Sequence, residues 1–168
     1  MSAALAEARS LVADATRRLT DAGARDEALA RFVPARRVLL IQRAPTMEPL
    51  GRVWRLGVLL LGSEGMLYAV GRGTRAVPPT HPNFQSISAE ERRGYRAAAV
   101  RARYPEGETV NFDARPLPLD GEDVDDPLVL TDAGLFVRWT HTASVSPVPF
   151  ASYVEERVRL LLEPPQGA

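Results

Sequence analysis

Arginine recurs at helical spacing in the segment from Ala89 to Tyr104. Arg92 and Arg96 are four residues apart, and Arg103 follows after seven more. At about 100° per residue, these side chains fall within a narrow stripe on a helix. Guanidinium groups in a row can bind the oxygens of a phosphate or a carboxylate through paired hydrogen bonds. The same spacing is also typical of a solvated helix face, and taken alone it favours that simpler interpretation.

A second polar group is expected on the strand predicted from Thr109 to Arg115. Its residues alternate between apolar and polar types, so the polar side chains should share one face. If that face lines a cleft, it forms the best polar cluster in the chain; an ordinary solvated sheet face is the alternative. Together with the helix stripe, it gives these predicted ligand-binding residues: Arg92, Arg96, Asn111, Asp113 and Arg115.

The two histidines of the chain, His81 and His141, give little support to catalysis or metal binding. A histidine metal site needs at least two of them to converge with a carboxylate, and their spacing does not predict this. His81, Ser86 and Asp113 could be combined into a Ser-His-Asp triad, but the chain lacks the G-x-S-x-G elbow that exposes a nucleophilic serine. His81 and Asp113 are therefore only candidate general bases, and no metal is predicted.

The glycines Gly71 and Gly73 follow the apolar segment Met66–Val70 in a pattern close to the dinucleotide-binding fingerprint. That fingerprint requires a helix that begins at the glycines, because the helix amides hold the phosphates. Here Pro78 and Pro79 follow at once and impose extended geometry on the residues before them. We therefore expect no nucleotide cofactor, and we expect the glycines to let the strand twist or bulge at its end.

Two residue types that carry covalent chemistry are missing. All 21 basic residues are arginine, and there is no cysteine. The chain therefore has no Schiff-base lysine, no phosphate-loop lysine, no thiolate nucleophile and no zinc–thiolate site. The formal net charge is zero, which argues against nonspecific binding of nucleic acid.

The helices and strands that carry these residues are predicted from hydrophobic periodicity. We predict an α+β fold: an antiparallel sheet of about five strands, with two N-terminal helices, one middle helix and one C-terminal helix. It should form a single domain, with a helical segment at 1–34 and a sheet-containing core at 35–168. The predicted helices are Ala3–Ala22, Asp26–Phe32, Ser88–Tyr104 and Pro149–Leu162. The predicted strands are Val38–Ile41, Trp54–Leu61, Met66–Val70, Thr109–Arg115, Leu128–Leu130 and Leu135–Thr140.

Partners and location are predicted mainly from what the sequence lacks. No apolar run is long enough to span a membrane, and the N-terminal residues do not have the pattern of a secretory signal. We therefore expect a cytoplasmic protein without a membrane partner. The first helix is long and its apolar stripe is rich in alanine, so the N-terminal helices could mediate a homodimer.

Part of the sequence resembles a group of small actinobacterial proteins of unknown function, some of which carry the label "glutaminase". The resemblance rests on GRVWRLGVLLLG, on SISAEERRGYRAAAVRARYPEGETVNFDARPLPLD and on LFVRW, and covers most residues from Gly51 onward. It implies an amide hydrolase. Known glutaminases use a Ser-Lys pair, a threonine supported by lysine, or a cysteine, so such an activity would need an unconventional mechanism here. The sequence alone favours a non-catalytic binding or interaction module for a small anion or a protein partner.

Overall fold

The structure is a computed structural model that describes residues 3–79, 87–121, 123–142 and 144–164. The chain divides into two compact units. One, here called the terminal unit, comprises Met1–Asp26, Val53–Val70 and Arg115–Ala168. The other, here called the inserted unit, comprises Glu27–Arg52 and Gly71–Ala114.

Three helices and twelve strands form within the described residues. The helices are α1 (Ala3–Asp21), α2 (Ile87–Arg101) and α3 (Phe150–Leu162). The strands are β1 (Glu27–Val33), β2 (Arg36–Val38), β3 (Ile41–Arg43), β4 (Thr46–Leu56), β5 (Leu59–Gly62), β6 (Leu67–Ala69), β7 (Arg72–Arg75), β8 (Thr109–Phe112), β9 (Arg115–Pro116), β10 (Leu128–Thr131), β11 (Gly134–Val137) and β12 (Val148–Pro149).

The core of the terminal unit is built on two amphipathic helices. The apolar residues of α1 recur at helical spacing and lie on one buried face: Leu5, Ala8, Val12, Ala15 and Leu19. Helix α3 packs against α1, and strand β5 is buried at all four of its positions. Strands β10, β11 and β12 form a small antiparallel sheet in this unit. Because the α1 stripe lies in the core of its own chain, a second copy could pair with it only if that core opened.

The inserted unit is built around a parallel strand pair. Strand β1 lies beside β8, with Ala28 opposite Val110 and Leu29 opposite Asn111. Strand β7 pairs with the other edge of β8 in the antiparallel sense, and α2 packs on β7. In the described part of the chain, hydrogen-bonded neighbours follow the order β7-β8-β1-β4-β5-β6-β9, a mixed sheet of seven strands. Of these, β7, β8 and β1 lie wholly within the inserted unit. The unit has a core of its own around Phe112.

The predicted α+β class is confirmed, but the helix count and the five-stranded antiparallel sheet are not. The segment Asp26–Phe32, predicted as a helix, is strand β1. Alanine and leucine in EALARFV favour a helix locally. Pairing with β8 instead satisfies the backbone groups of this segment in a sheet, so tertiary contacts override the local preference.

Two segments predicted as single strands contain turns. In Val38–Ile41, the chain reverses at Leu39 and Leu40 and joins β2 to β3; Leu39 has a φ of +57°. In Trp54–Leu61, strand β4 ends at Leu56 and the chain turns at Gly57, with a φ of +67°. Val38–Ile41 is a continuous apolar run, which carries no alternation that could reveal a turn within it. In Trp54–Leu61, by contrast, Gly57 is a turn-favouring residue within the predicted strand.

Other expected elements are present with small shifts at their ends. The helices predicted at Ala3–Ala22, Ser88–Tyr104 and Pro149–Leu162 correspond to α1, α2 and α3. The strands predicted at Met66–Val70, Leu128–Leu130 and Leu135–Thr140 correspond to β6, β10 and β11, with β6 paired to β5 and β10 to β11. No helix in the described residues is long and apolar enough to cross a bilayer.

Candidate anion-binding site

A pocket of about 550 Å³ lies in the inserted unit where α2 covers β7. Arg92 and Arg96, one helical turn apart on α2, line it together with Arg75 at the end of β7. The register of β7 against β8 places Thr109 opposite Arg75. Its lining residues are Glu27, Gly73, Thr74, Arg75, Val77, Arg92, Arg96 and Thr109.

The guanidinium groups of the pocket differ in the partners they have within the chain. Arg92 donates from Nε to the carbonyl oxygen of Ser88, at 3.1 Å. Within the described residues, Arg75 and Arg96 make neither an ion pair nor a side-chain hydrogen bond. Unpaired guanidinium groups from two different elements can converge on the oxygens of one ligand.

A buried amide holds the carboxylate of the pocket. Asn111 is fully buried on β8, and its Nδ2 donates to Oε2 of Glu27 at 2.7 Å and to the carbonyl oxygen of Ala28 at 3.2 Å. A hydrogen bond to a carboxylate is stronger than one between neutral groups. Glu27 is therefore held in place as an acceptor beside the arginines. Asn111 positions Glu27 through this hydrogen bond and does not itself line the pocket.

The alternation of residue types predicts that Asp113 shares a strand face with Asn111, but the structure does not place it there. Strand β8 ends at Phe112, and Asp113 has a φ of +54°. Its side chain is 54 % exposed, and Oδ2 lies 3.7 Å from Nε of Arg72. The exposed, ion-paired carboxylate lacks the enclosure that a general base in a cleft would have.

The backbone of Asp113 lies very close to Gly71. A Cβ atom on Gly71 would lie 2.1 Å from the carbonyl oxygen of Asp113. The glycine pattern thus serves a backbone contact, and Gly73 lies within β7, opposite Asn111. Strand β7 continues from Gly73 to Arg75, so no helix begins at Gly73.

Two further arginines of the predicted sites lie elsewhere. Arg115 belongs to β9 in the terminal unit, where its Nη1 lies 3.0 Å from Oδ2 of Asp125. Arg103 follows the end of α2 and has a φ of +63°, so it does not continue the helical stripe. The predicted ligand set therefore separates: Arg92 and Arg96 line the pocket, Asn111 supports it, and Asp113 and Arg115 do not contribute.

The remaining catalytic candidate, His81, and its partner Ser86 lie outside the described residues. Within the described residues, no group of three histidine, cysteine or acidic side chains could hold a metal ion.

A larger pocket, of about 600 Å³, lies in the terminal unit beside α1. Its lining is mainly apolar, and it contains none of the predicted site residues. Both arginines at its edge already have partners: Arg17 pairs with Asp14, and Nη1 of Arg9 donates to the carbonyl oxygen of Leu119 at 2.6 Å. The smaller, arginine-lined pocket therefore has the chemistry that a charged ligand requires.

Glu27 and Arg75 also line the pocket, although the sequence predicts neither as a site residue. The sequence predicts Glu27 in a helix, and Arg75 follows the glycine segment, for which no binding role is predicted. Their proximity follows from the β7–β8–β1 pairing, which brings residues 27, 75 and 109 together. The available signal was the polar Arg72–Arg75 segment, which has the composition of an exposed strand.

Comparison with known proteins adds no relative: no family model, curated protein or solved structure matches this chain. The resemblance to actinobacterial proteins labelled "glutaminase" therefore stays a prediction.

Proposed function

We propose that the inserted unit binds a small anionic ligand in the arginine-lined pocket. The observation that carries this proposal is the convergence of Arg75, Arg92 and Arg96 on one pocket, two of them without an ion-pair partner in the described residues. Arginine presents a planar fork of donors that matches the geometry of carboxylate and phosphate oxygens. A bound anion would neutralise guanidinium groups that the described residues leave unpaired.

The polar groups beside the arginines narrow the class of ligand. Glu27 accepts hydrogen bonds, and the hydroxyls of Thr74 and Thr109 both donate and accept. A ligand that combines a carboxylate or phosphate with an amine or hydroxyl donor would bind the arginines through its anionic group and Glu27 through its donor. A volume of about 550 Å³ lies within the ordinary range for small-molecule sites.

Thermal-shift titration with inorganic phosphate and with a panel of hydroxy- and amino-carboxylates tests the proposal. We expect at least one anion to raise the melting temperature, because a ligand that binds only the native state stabilises it by about 2.7 kcal/mol at 100 times Kd. Arg96→Ala and Arg75→Ala should each weaken the response by about tenfold or more in Kd.

Arg93→Gln is the matched control. Arg93 lies on the same helix but pairs with Glu90 at 2.5 Å and does not line the pocket, so this variant should respond like the wild type. If no anion stabilises the protein, or if Arg96→Ala and Arg93→Gln respond alike, the pocket is not an anion site.

Amide hydrolysis is the competing activity that the sequence resemblance implied. The only described candidate base, Asp113, is exposed and paired with Arg72, and the described residues contain no observation that favours hydrolysis. An assay for ammonia release from glutamine separates the two: release that is lost in Asp113→Asn would replace the binding proposal with an enzymatic one.

A further inference from the structure

The hairpin formed by β2 and β3 exposes apolar side chains at its tip. Leu39 and Leu40 are 90 % and 89 % exposed, and Ile41 is 67 % exposed. Both strands are exposed at every position, and they form a two-stranded sheet of their own. Scattered apolar residues on a surface are ordinary, but a contiguous apolar cluster marks an interaction site.

The backbone conformation at this tip is also unfavourable for leucine. Leu39 has a φ of +57°, a conformation that glycine, asparagine and aspartate adopt more readily than leucine does. A turn residue selected only for reversing the chain would be one of those. An apolar side chain at this position therefore points to a role for the side chain itself.

The stem of the hairpin is basic. Arg36 is opposite Arg43, and Arg37 is opposite Gln42. Within the described residues, none of the three arginines makes an ion pair or a side-chain hydrogen bond. The segment from Pro34 to Met47 contains no acidic residue. The hairpin thus combines an apolar tip with an unneutralised positive stem.

From this combination we propose that the β2–β3 hairpin docks onto an anionic lipid surface, with its tip in the boundary between headgroups and acyl chains. The Arg36–Arg43 pair lies two residues along the strands from the Val38–Ile41 pair, a distance of about 7 Å at the usual rise per residue. Interfacial segments bury their apolar parts by about 5–10 Å. The guanidinium groups then lie at the level of the lipid phosphates, which they bind well.

A second copy of the chain fits this surface less well. Two hairpins that packed side by side would bring like-charged stems together, and no acidic residue of the hairpin would compensate them. The base of the hairpin is fixed to α2, where Nη1 of Arg101 donates to the carbonyl oxygen of Pro45. The proposal concerns peripheral contact only, since no helix in the described residues is long and apolar enough to cross a bilayer.

Flotation with lipid vesicles tests the docking. Vesicles of phosphatidylcholine with phosphatidylserine should carry the wild-type protein at low salt, whereas pure phosphatidylcholine vesicles should not, and added salt should release it. The double variant Leu39→Asp/Leu40→Asp should lose about tenfold or more in partitioning. Its melting temperature should not fall, because aspartate tolerates a positive φ better than leucine does.

Two controls make the result specific. Ile87→Asp removes another exposed apolar side chain, 85 % exposed at the start of α2, and should float like the wild type. Replacing Arg36, Arg37 and Arg43 by glutamine should abolish flotation, while replacing them by lysine should preserve most of it, because the attraction depends on charge.

Three outcomes would overturn the proposal. The wild type could fail to float with anionic vesicles at low salt, or the tip variant could float equally well. Light scattering could also show a dimer that Leu39→Asp/Leu40→Asp converts to a monomer without any vesicle binding, which would assign the tip to self-association.

Discussion

At the scale of single residues, the sequence identifies side chains that could bind an anion. It does not identify all the residues that come together in one pocket. Arg92 and Arg96 follow from helical spacing alone, because a helix places residues four apart on one face. Glu27 and Arg75 join them through strand pairing between distant segments. Local spacing does not encode such pairing, so neither residue could be assigned to the site beforehand.

Gly71 provides a residue-scale prediction about the backbone. Gly71→Ala should destabilise the protein by about 2 kcal/mol or more, because a Cβ atom would meet the backbone of Asp113 at 2.1 Å and a backbone cannot rotate away as a side chain can. Gly94→Ala, within α2, should stabilise it by about 0.5–1 kcal/mol, because nothing lies within 4 Å of the new methyl group and alanine favours the helix. Urea denaturation of both variants measures the difference. Equal effects would show that Gly71 does not make the close approach.

At the scale of elements, those whose own residues show a regular hydrophobic pattern were predictable from the sequence, and those that depend on a distant partner were not. Helices α1 and α3 were predictable because their apolar residues recur at helical spacing and this face is the one they bury. Strand β1 was not, because its helix-favouring residues form a strand only when β8 is beside it. The turn at Leu39 was also hidden, since leucine is not a residue that marks a left-handed turn.

The contact between α1 and α3 gives a prediction about pH. Arg18 forms a two-pronged pair with Glu155, with Nη1–Oε2 and Nη2–Oε1 distances of 2.6 and 3.0 Å. The hydrogen bonds from Arg18, followed by the attraction of its charge, lower the pKa of Glu155 below its ordinary value. A carboxyl group with a lowered pKa in the folded state stabilises that state above the ordinary pKa, and this contribution is lost as the pH falls through the folded-state value.

The wild type should therefore lose more stability than Glu155→Gln between about pH 5 and pH 3. The difference should not exceed about 0.5 kcal/mol, because the Glu155 side chain is 59 % exposed and solvent screens the pair. Chemical denaturation across this pH range measures it. Glu156→Gln is the control, since Glu156 makes no ion pair in the described part of the chain; if both variants follow the same pH profile, the pair contributes nothing.

At the scale of the whole molecule, each compact unit has an apolar core of its own. The core of the terminal unit contains Leu59, and that of the inserted unit contains Phe112, which packs against the ring of Tyr95 with centroids 4.8 Å apart. The side chains of Leu59 and Phe112 are fully buried. The sequence alone carries no information about this division into two cores, because the division depends on which segments pair.

Large-to-small substitutions should therefore be costly in both cores. We expect Leu59→Ala to destabilise the protein by about 2–5 kcal/mol and Phe112→Ala by about 3–5 kcal/mol. Leu160→Ala, at a position 37 % exposed on α3, should cost much less. Denaturant titration of the three variants measures these values. A cost below about 1 kcal/mol for either buried residue would show that its core is loosely packed.

The parallel pairing of β1 with β8 has a consequence for biosynthesis. The two strands are joined by a long stretch of chain, because Ala28 lies opposite Val110. While the ribosome extends the polypeptide, β1 emerges many residues before β8, so the edge of β1 that pairs with β8 has no partner until then. Distant pairings of this kind slow folding, so the inserted unit should reach its native state late and should depend most on chaperones during that interval.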